Sequence, residues 1–329
     1  MQRRGPAATL IALACAVAIA GVSYVGYHRA PAQAELIQPD RSATGVAAFL
    51  DVRAELTEEP AEPVEPEAID ARRAAFEERY PAQAAATEAP GHGGDGWALL
   101  IGINEHLGAV PNNFVSREDA ERMRELLLRA GWADDRIVLM TDTDATGDMI
   151  REGLAWLARK SGQGSTVVFH YSGHSKKWYG PGGRIDDQAL WPTDDDFVRR
   201  GELAEALAEV DHDAFWGNVA ACEAAGFHLD GVAAPDRVWT YSSRADEKSY
   251  EDPGAGHSVW GAYLLDHGLW RAGQDPPSVQ EAFAEAAPQA QRYTSLQVPY
   301  GPQTPVLEDD LGRPFELSPA PDRLTPSFG

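Results

Sequence analysis

The strongest constraint on this chain is a set of short, almost wholly apolar stretches at residues 97–103, 136–140, 166–171, 215–220 and 237–242. A strand with one wet face alternates apolar and polar side chains. A strand without that alternation is covered on both faces. Between the stretches, apolar residues recur at helical spacing. Met123, Leu126, Leu127 and Ala130 form one face, with Ser116 and Asp119 placed as a capping box and Gly131 at the close. Ile150, Leu154 and Leu157 mark a second helix over 148–160, and 202–210, 258–270 and 278–291 supply three more. Strands alternating with helices imply parallel β-α-β units with right-handed crossovers. The expected fold is one α/β domain over 96–317, a mostly parallel sheet flanked by helices on both faces.

Composition narrows the function. Acidic residues outnumber basic ones 51 to 28, a net charge of -23, which makes nucleic acid a poor partner. Only two cysteines are present, Cys15 and Cys222, which excludes a disulfide framework, a Cys-rich zinc site and an iron–sulfur cluster.

The charge is also unevenly placed. Arg3 and Arg4 precede an uncharged stretch over 5–27 whose centre is continuously apolar and about as long as a bilayer-crossing helix. Residues 1–34 are therefore expected to form an anchor, with the arginines in the cytoplasm and the rest outside. The alternative is a secretion signal cleaved at Ala32-Gln33-Ala34. Either reading places the domain outside the cytoplasm, and the anchor also makes the membrane a partner. Residues 35–95, in which acids alternate with prolines over 58–67, read as an extended spacer, with one helical piece over 68–79 and a flexible joint over 89–96. An inhibitory pro-segment is the functional alternative. Residues 318–329 are Pro-rich and read as a loose tail.

In open α/β sheets, reactive groups gather beyond the carboxyl ends of the strands. Two such ends stand out. The third strand leads into Ser172-Gly173-His174-Ser175, and the fourth into Ala221-Cys222-Glu223-Ala224-Ala225-Gly226. A histidine can take the thiol proton, the thiolate is the nucleophile, and the imidazole can later protonate a leaving amine. Backbone N–H groups of Ser175 and Cys222 are candidates to stabilise an oxyanion. Alone, Cys222 is more simply a buried thiol and His174 a loop histidine. As a pair 48 positions apart, at two strand ends, they favour the reactive reading.

Other candidates are weaker. Asp186-Asp187 and Asp194-Asp195-Asp196 have oxygen ligands that suit calcium, but no EF-hand spacing is present and a solvated acidic loop is simpler. No H-E-x-x-H occurs, so no metal is assigned and no cofactor is required. Gly180-Pro181-Gly182-Gly183 lacks the Lys-Ser/Thr of a phosphate loop and reads as a mobile loop near the site. Ser172 and Ser175 flank His174 without a G-x-S-x-G elbow.

At this point the sequence resembles a family. The opening strand over 97–104, Asp119-Ala120 in a helix, Thr141-Asp142, and the stretch Phe169-His170-Tyr171-Ser172-Gly173-His174 resemble the caspase-type peptidases, including metacaspases and bacterial relatives. So do Thr240-Tyr241-Ser242-Ser243, followed by Asp246-Glu247, and Pro302-Gln303-Thr304-Pro305. The resemblance implies a caspase–haemoglobinase fold and a Cys/His dyad, with His174 as base, Cys222 as nucleophile, and Ser175 and Cys222 as oxyanion amides. It also places Ser242, Ser243 and Asp246 beside the substrate. The implied activity is that of a cysteine endopeptidase acting on protein or peptide substrates. The alternative is a weakly active or inactive caspase-like binding module at the cell surface.

Three departures bear on specificity. Ser175 stands where the family usually has Gly after the histidine. Ala220 stands where metacaspases usually carry the Asp that helps bind a basic P1 side chain. Glu223-Ala224-Ala225 replaces the usual His-Ser-Gly and is closer to the legumain-like branch.

Overall fold

The computed structural model describes residues 47–48, 52–55, 66–87, 96–108, 110–180, 183–228, 232–271, 276–298 and 300–317. The expected anchor over 1–34 with Cys15, the Pro181-Gly182 part of the Gly-rich loop, and the tail lie outside them. Among the described residues, no helix is long and apolar enough to cross a membrane.

In chain order the elements begin with β1 (Ala47–Ala48), β2 (Val52–Glu55), α1 (Pro66–Arg79), α2 (Pro81–Ala85) and β3 (Gly96–Gly102). Then come α3 (Ser116–Arg129), β4 (Ile137–Thr141), α4 (Gly147–Lys160), β5 (Thr166–Ser172), β6 (Ser175–Tyr179), β7 (Ile185–Leu190) and β8 (Val198–Arg199). The chain continues through α5 (Arg200–Ala208), β9 (Ala214–Ala220), β10 (Arg237–Tyr241), β11 (Tyr250–Asp252) and β12 (His257–Ser258). It ends with α6 (Val259–Gly261, running on as a π-helix over Ala262–Trp270), α7 (Val279–Gln297) and β13 (Val306–Asp309).

The main sheet has six strands in the order β13-β10-β9-β5-β3-β4. All its pairings are parallel except that of β10 with β13. The absence of alternation in the strands has its expected cause. Trp97, Leu99 and Ile101 enter one core, with Ile150, Leu154 and Leu157 of α4, while Ala98 and Leu100 enter another, with Met123, Leu126 and Leu127 of α3. Each buried side chain of this size contributes roughly 1.5–3 kcal/mol, so both faces help hold the sheet.

Several features differ from the sequence reading. α3 is not capped by Ser116. Its N-terminal amides at Phe114 and Val115 donate to Glu251, 3.0 Å away, and Ser116 Oγ donates to the same carboxylate. The capping box forms instead on α7, between Ser278 and Glu281. The segment 175–199, without strong apolar patterning, forms β6, β7 and β8. With β2 these make a second sheet in the order β2-β6-β7-β8.

Within the stretch expected to be a spacer, the helical piece expected over 68–79 forms as α1. α1 and α2 pack on α4, with Phe76 and Tyr80 buried, and Lys160 Nζ donates to the Ala84 and Ala86 carbonyls at 2.8 and 2.6 Å. Two aromatic side chains in an otherwise acidic stretch are enough to dock it.

Candidate active site

The sheet order reverses between β3 and β5, since the chain places β4 on one side of β3 and β5 on the other. Ligands of open α/β sheets bind at such a switch point, beyond the strand carboxyl ends. β5 borders it, and β9 is the next strand. Their register pairs Ser172 with Ala220, so His174 and Cys222 each stand two residues beyond the same rung of adjacent parallel strands. Adjacent strands lie about 4.8 Å apart. The two ends are also bonded to each other: Gly173 N donates to Ala220 O at 3.1 Å, and Ser175 Oγ donates to Cys222 O at 2.8 Å.

The histidine turn is held from beneath. Tyr171 Oη donates to His174 O at 2.6 Å, and a Cβ on Gly173 would lie 2.9 Å from that hydroxyl, so Gly suits the position. His174 Nε2 is 2.9 Å from the Pro111 carbonyl. A carbonyl only accepts, so Nε2 carries the proton and Nδ1 of the neutral ring keeps its lone pair. The ring lies 5.1 Å from that of His106 and 6.1 Å from that of Trp191. Burial holds the His174 pKa well below the ordinary 6.5, reinforced by His106 and by the Lys177 cation, and only partly opposed by Pro111. His106 is similarly held near 4 by burial.

The Cys222 turn is held from three sides. Gln188 Nε2 on β7 donates to the Cys222 and Glu223 carbonyls at 3.3 and 3.2 Å. Glu223 N donates to Glu247 O at 2.8 Å. Ser242 Oγ accepts from Ala221 N at 3.1 Å, and Ser243 Oγ accepts from Ala224 N at 3.1 Å. The Cys222 thiol lies 4.0 Å from Ser249 O, within the reach of a sulfur hydrogen bond.

Glu223 has a left-handed backbone (φ 49°), and its carboxylate pairs with Lys177 Nζ on β6. Both side chains of this pair are buried. A left-handed non-glycine residue needs such support, because its Cβ is crowded there.

The structure thus brings His174, Ser175 and Cys222 together. Ser242 and Ser243, expected beside the substrate, are fully buried, and their hydroxyls bond the backbone around the cysteine. That follows from register: Tyr241 of β10 lies opposite Val219 of β9, so the next residues meet the Cys222 turn. Asp246 stands apart and exposed, 3.8 Å from Arg244 Nε.

Sequence reasoning missed Pro111, His106, Gln188 and the Lys177–Glu223 pair. Pro111 acts through its carbonyl, which leaves no trace in a side-chain pattern.

The side chains of Asp187, Asp194, Asp195 and Asp196 are engaged by protein groups. Asp194 Oδ1 accepts from Gly147 N, Asp195 from Trp191 Nε1, Asp196 pairs with Arg151, and Asp187 with Arg199 and Arg200. Among the described residues, no group of three His, Cys, Asp or Glu side chains is placed to hold a metal ion.

The chain is similar to several metacaspases. Metacaspase-4 of Arabidopsis thaliana is 34% identical over 116 residues, covering 30% of this chain and 28% of that protein. Metacaspase-8 of the same plant is 32% identical over 126 residues, covering 34% and 32%. Metacaspase-1 of Lodderomyces elongisporus is 31% identical over 97 residues, covering 28% and 20%. The matches thus span less than a third of the length of each of these relatives. A crystal structure from Geobacter sulfurreducens shares the fold with a TM-score of 0.50 at 17% identity, covering 65% of this chain and 92% of that one. Residues 95–315 match the caspase domain, more than half of the chain, and the protein therefore belongs to the caspase domain family.

Proposed function

We propose that the chain is a cysteine endopeptidase whose nucleophile is Cys222 and whose base is His174. The observation that carries this reading is the in-register placement of the two residues beyond Ser172 and Ala220, with the Nε2 proton fixed on Pro111. Nδ1 of His174 takes the thiol proton, and the thiolate adds to the peptide carbonyl. The N–H groups of Ser175 and Cys222 stabilise the oxyanion. In support, the cross-strand bond runs from Trp191 N to His174 O, so Ser175 and Leu190 form a non-hydrogen-bonded pair and the Ser175 N–H is not directed at β7. The protonated imidazole then gives its proton to the leaving amine, and water hydrolyses the acyl-thioester.

Profiling cleavage of a diverse peptide library tests the reading. Cleavage is expected with calcium or a chelator alike, and none is expected from His174→Ala. A library left uncut by the wild-type chain favours the binding-module alternative. We also propose Asp246, the exposed neighbour of Glu247, whose carbonyl accepts from Glu223 N, as the acid for a basic P1 side chain in place of the missing one at Ala220. Asp246→Asn should then reduce cleavage after Arg and Lys, and an unchanged P1 profile removes that role.

The pH dependence has a definite sign. Catalysis needs neutral His174, and burial depresses its pKa. The base form therefore persists below the ordinary histidine range, and the acid limb of kcat/KM should fall below pH 6.5. A limb at 6.5 or above contradicts a buried base.

The location proposed is outside the cytoplasmic membrane, tethered through 1–34. The support is the uncharged stretch over 5–27 behind Arg3 and Arg4. Release of the protein into the soluble fraction on deleting 1–34, and not otherwise, is the expected result.

A further inference from the structure

The carbonyl of Ala221 has two side-chain donors. Ser242 Oγ donates to it at 3.1 Å and Ser243 Oγ at 3.2 Å. A serine hydroxyl has one proton, so both hydroxyls direct theirs at the same oxygen. Their lone pairs accept from the neighbouring amides of Ala221 and Ala224, each at 3.1 Å. The two serine backbones are pinned to the same turn: Ser242 N donates to Val219 O at 2.9 Å, and Ala225 N donates to Ser243 O at 3.0 Å. Ala221, Ser242 and Ser243 are all fully buried. One donor is enough to keep a buried carbonyl from being orphaned. A pair of donors from two sides also fixes its direction.

That carbonyl belongs to the same peptide unit as the N–H of Cys222. The unit is planar and trans, so its C=O and N–H point in opposite directions. Donors that fix the oxygen therefore fix the line along which the Cys222 N–H points, away from both hydroxyls. They also polarise the unit, since hydrogen bonds in a chain strengthen one another by about 10–30% per bond. Here the chain runs from hydroxyl to Ala221 carbonyl to Cys222 N–H. We propose that Ser242 and Ser243 are positioning residues of the oxyanion site, acting through the Ala221–Cys222 peptide and touching no substrate. The proposal rests on the dyad reading above, in which the Cys222 N–H receives the developing negative charge. It replaces the expected place of these serines beside the substrate.

An effect carried by the oxyanion acts in the transition state and not in the bound substrate, so it appears in kcat with KM unchanged. Removing an oxyanion donor outright lowers kcat by about a hundredfold or more. Here the donor stays, and only its direction and polarity weaken. A loss of about tenfold is expected when both hydroxyls are removed. Either serine alone still holds the carbonyl. Each single variant should therefore lose only about twofold, and the double variant more than the product of the two.

The test uses the full chain with Ser242→Ala, Ser243→Ala and the double variant, and two reagents that differ in their need for an oxyanion site. Iodoacetamide alkylates the Cys222 thiolate by displacing iodide and forms no oxyanion, so its rate should be unchanged in every variant. A peptide aldehyde, matched to a sequence that the chain cuts, takes the same thiolate at its carbonyl carbon and leaves a tetrahedral oxygen in the oxyanion site. Its inhibition constant should weaken in step with kcat. Where the double variant does not fold, the single variants carry the test through the ratio of aldehyde affinity to iodoacetamide rate. An iodoacetamide rate that falls in parallel with kcat overturns the proposal, because the serines would then support the nucleophile itself. A raised KM at unchanged kcat overturns it too, and returns the serines to the substrate. A wild-type chain that cuts no peptide and takes up no iodoacetamide at Cys222 removes the dyad reading, and this role with it. An active chain whose kcat and aldehyde affinity are indifferent to both serines removes this role alone.

Discussion

Cys222→Ser is expected to lower kcat/KM by about a thousandfold or more while shifting the thermal midpoint by no more than about 4 °C. The two halves have separate causes. A hydroxyl of pKa far above that of a thiol is not ionised by an imidazole whose own pKa is depressed, so the nucleophile is lost. The fold keeps its contacts, because the serine is only slightly smaller than the cysteine. The thiol is fully buried, the usual situation of a structural cysteine, so the measurement is decisive. If activity and stability collapse together, Cys222 is a core residue and the nucleophile lies elsewhere. Thermal unfolding and steady-state cleavage on the same preparation separate the cases.

Lys177→Met should produce the largest loss of stability among single changes at the site, about 3–5 kcal/mol, on the order of 10 °C in Tm. Removing the cation leaves the Glu223 carboxylate buried without its charge partner. Glu223 also holds the left-handed turn directly after Cys222, so activity should fall with stability. The double variant Lys177→Met/Glu223→Gln removes both charges and should regain most of the stability, since a buried ion pair is close to neutral against uncharged groups of similar size. Its activity should recover less, because a neutral amide in place of the carboxylate lacks the charge-assisted bond that fixes the turn. A single variant as stable as the wild-type chain contradicts this view of the pair.

The sheet could be read from the sequence because its strands are covered on both faces. The five apolar stretches became β3, β4, β5, β9 and β10, each within a residue or two of its expected bounds. The placement of His174 and Cys222 beyond adjacent strand ends was legible for the same reason, since the sheet sets the strand ends before any side-chain contact is known.

What was not legible depends on distant partners. Lys177 reads as a solvated charge until Glu223, 46 positions away, is placed against it. The cap of α3 comes from Glu251, 136 positions beyond Val115, so the local Ser116/Asp119 pattern misled. Asp119 is instead buried, its carboxylate accepting from Ser172 Oγ at 2.9 Å and Ser258 N at 3.1 Å. The polar strands β6 and β7 form a hairpin whose inward residues include Lys177 and Gln188, which hides the usual alternation. β1 and β2 were obscured by the acidic, Pro-rich composition around them, which by itself argues for an extended solvated chain.

The central claim is that His174 activates Cys222. A thiol-alkylating peptide, followed by mass spectrometry of the full chain, tests it most directly. Modification is predicted at Cys222, slowed about a hundredfold in His174→Ala and absent in Cys222→Ala. Labelling that persists in Cys222→Ala, or a rate in His174→Ala equal to that of the wild-type chain, contradicts it.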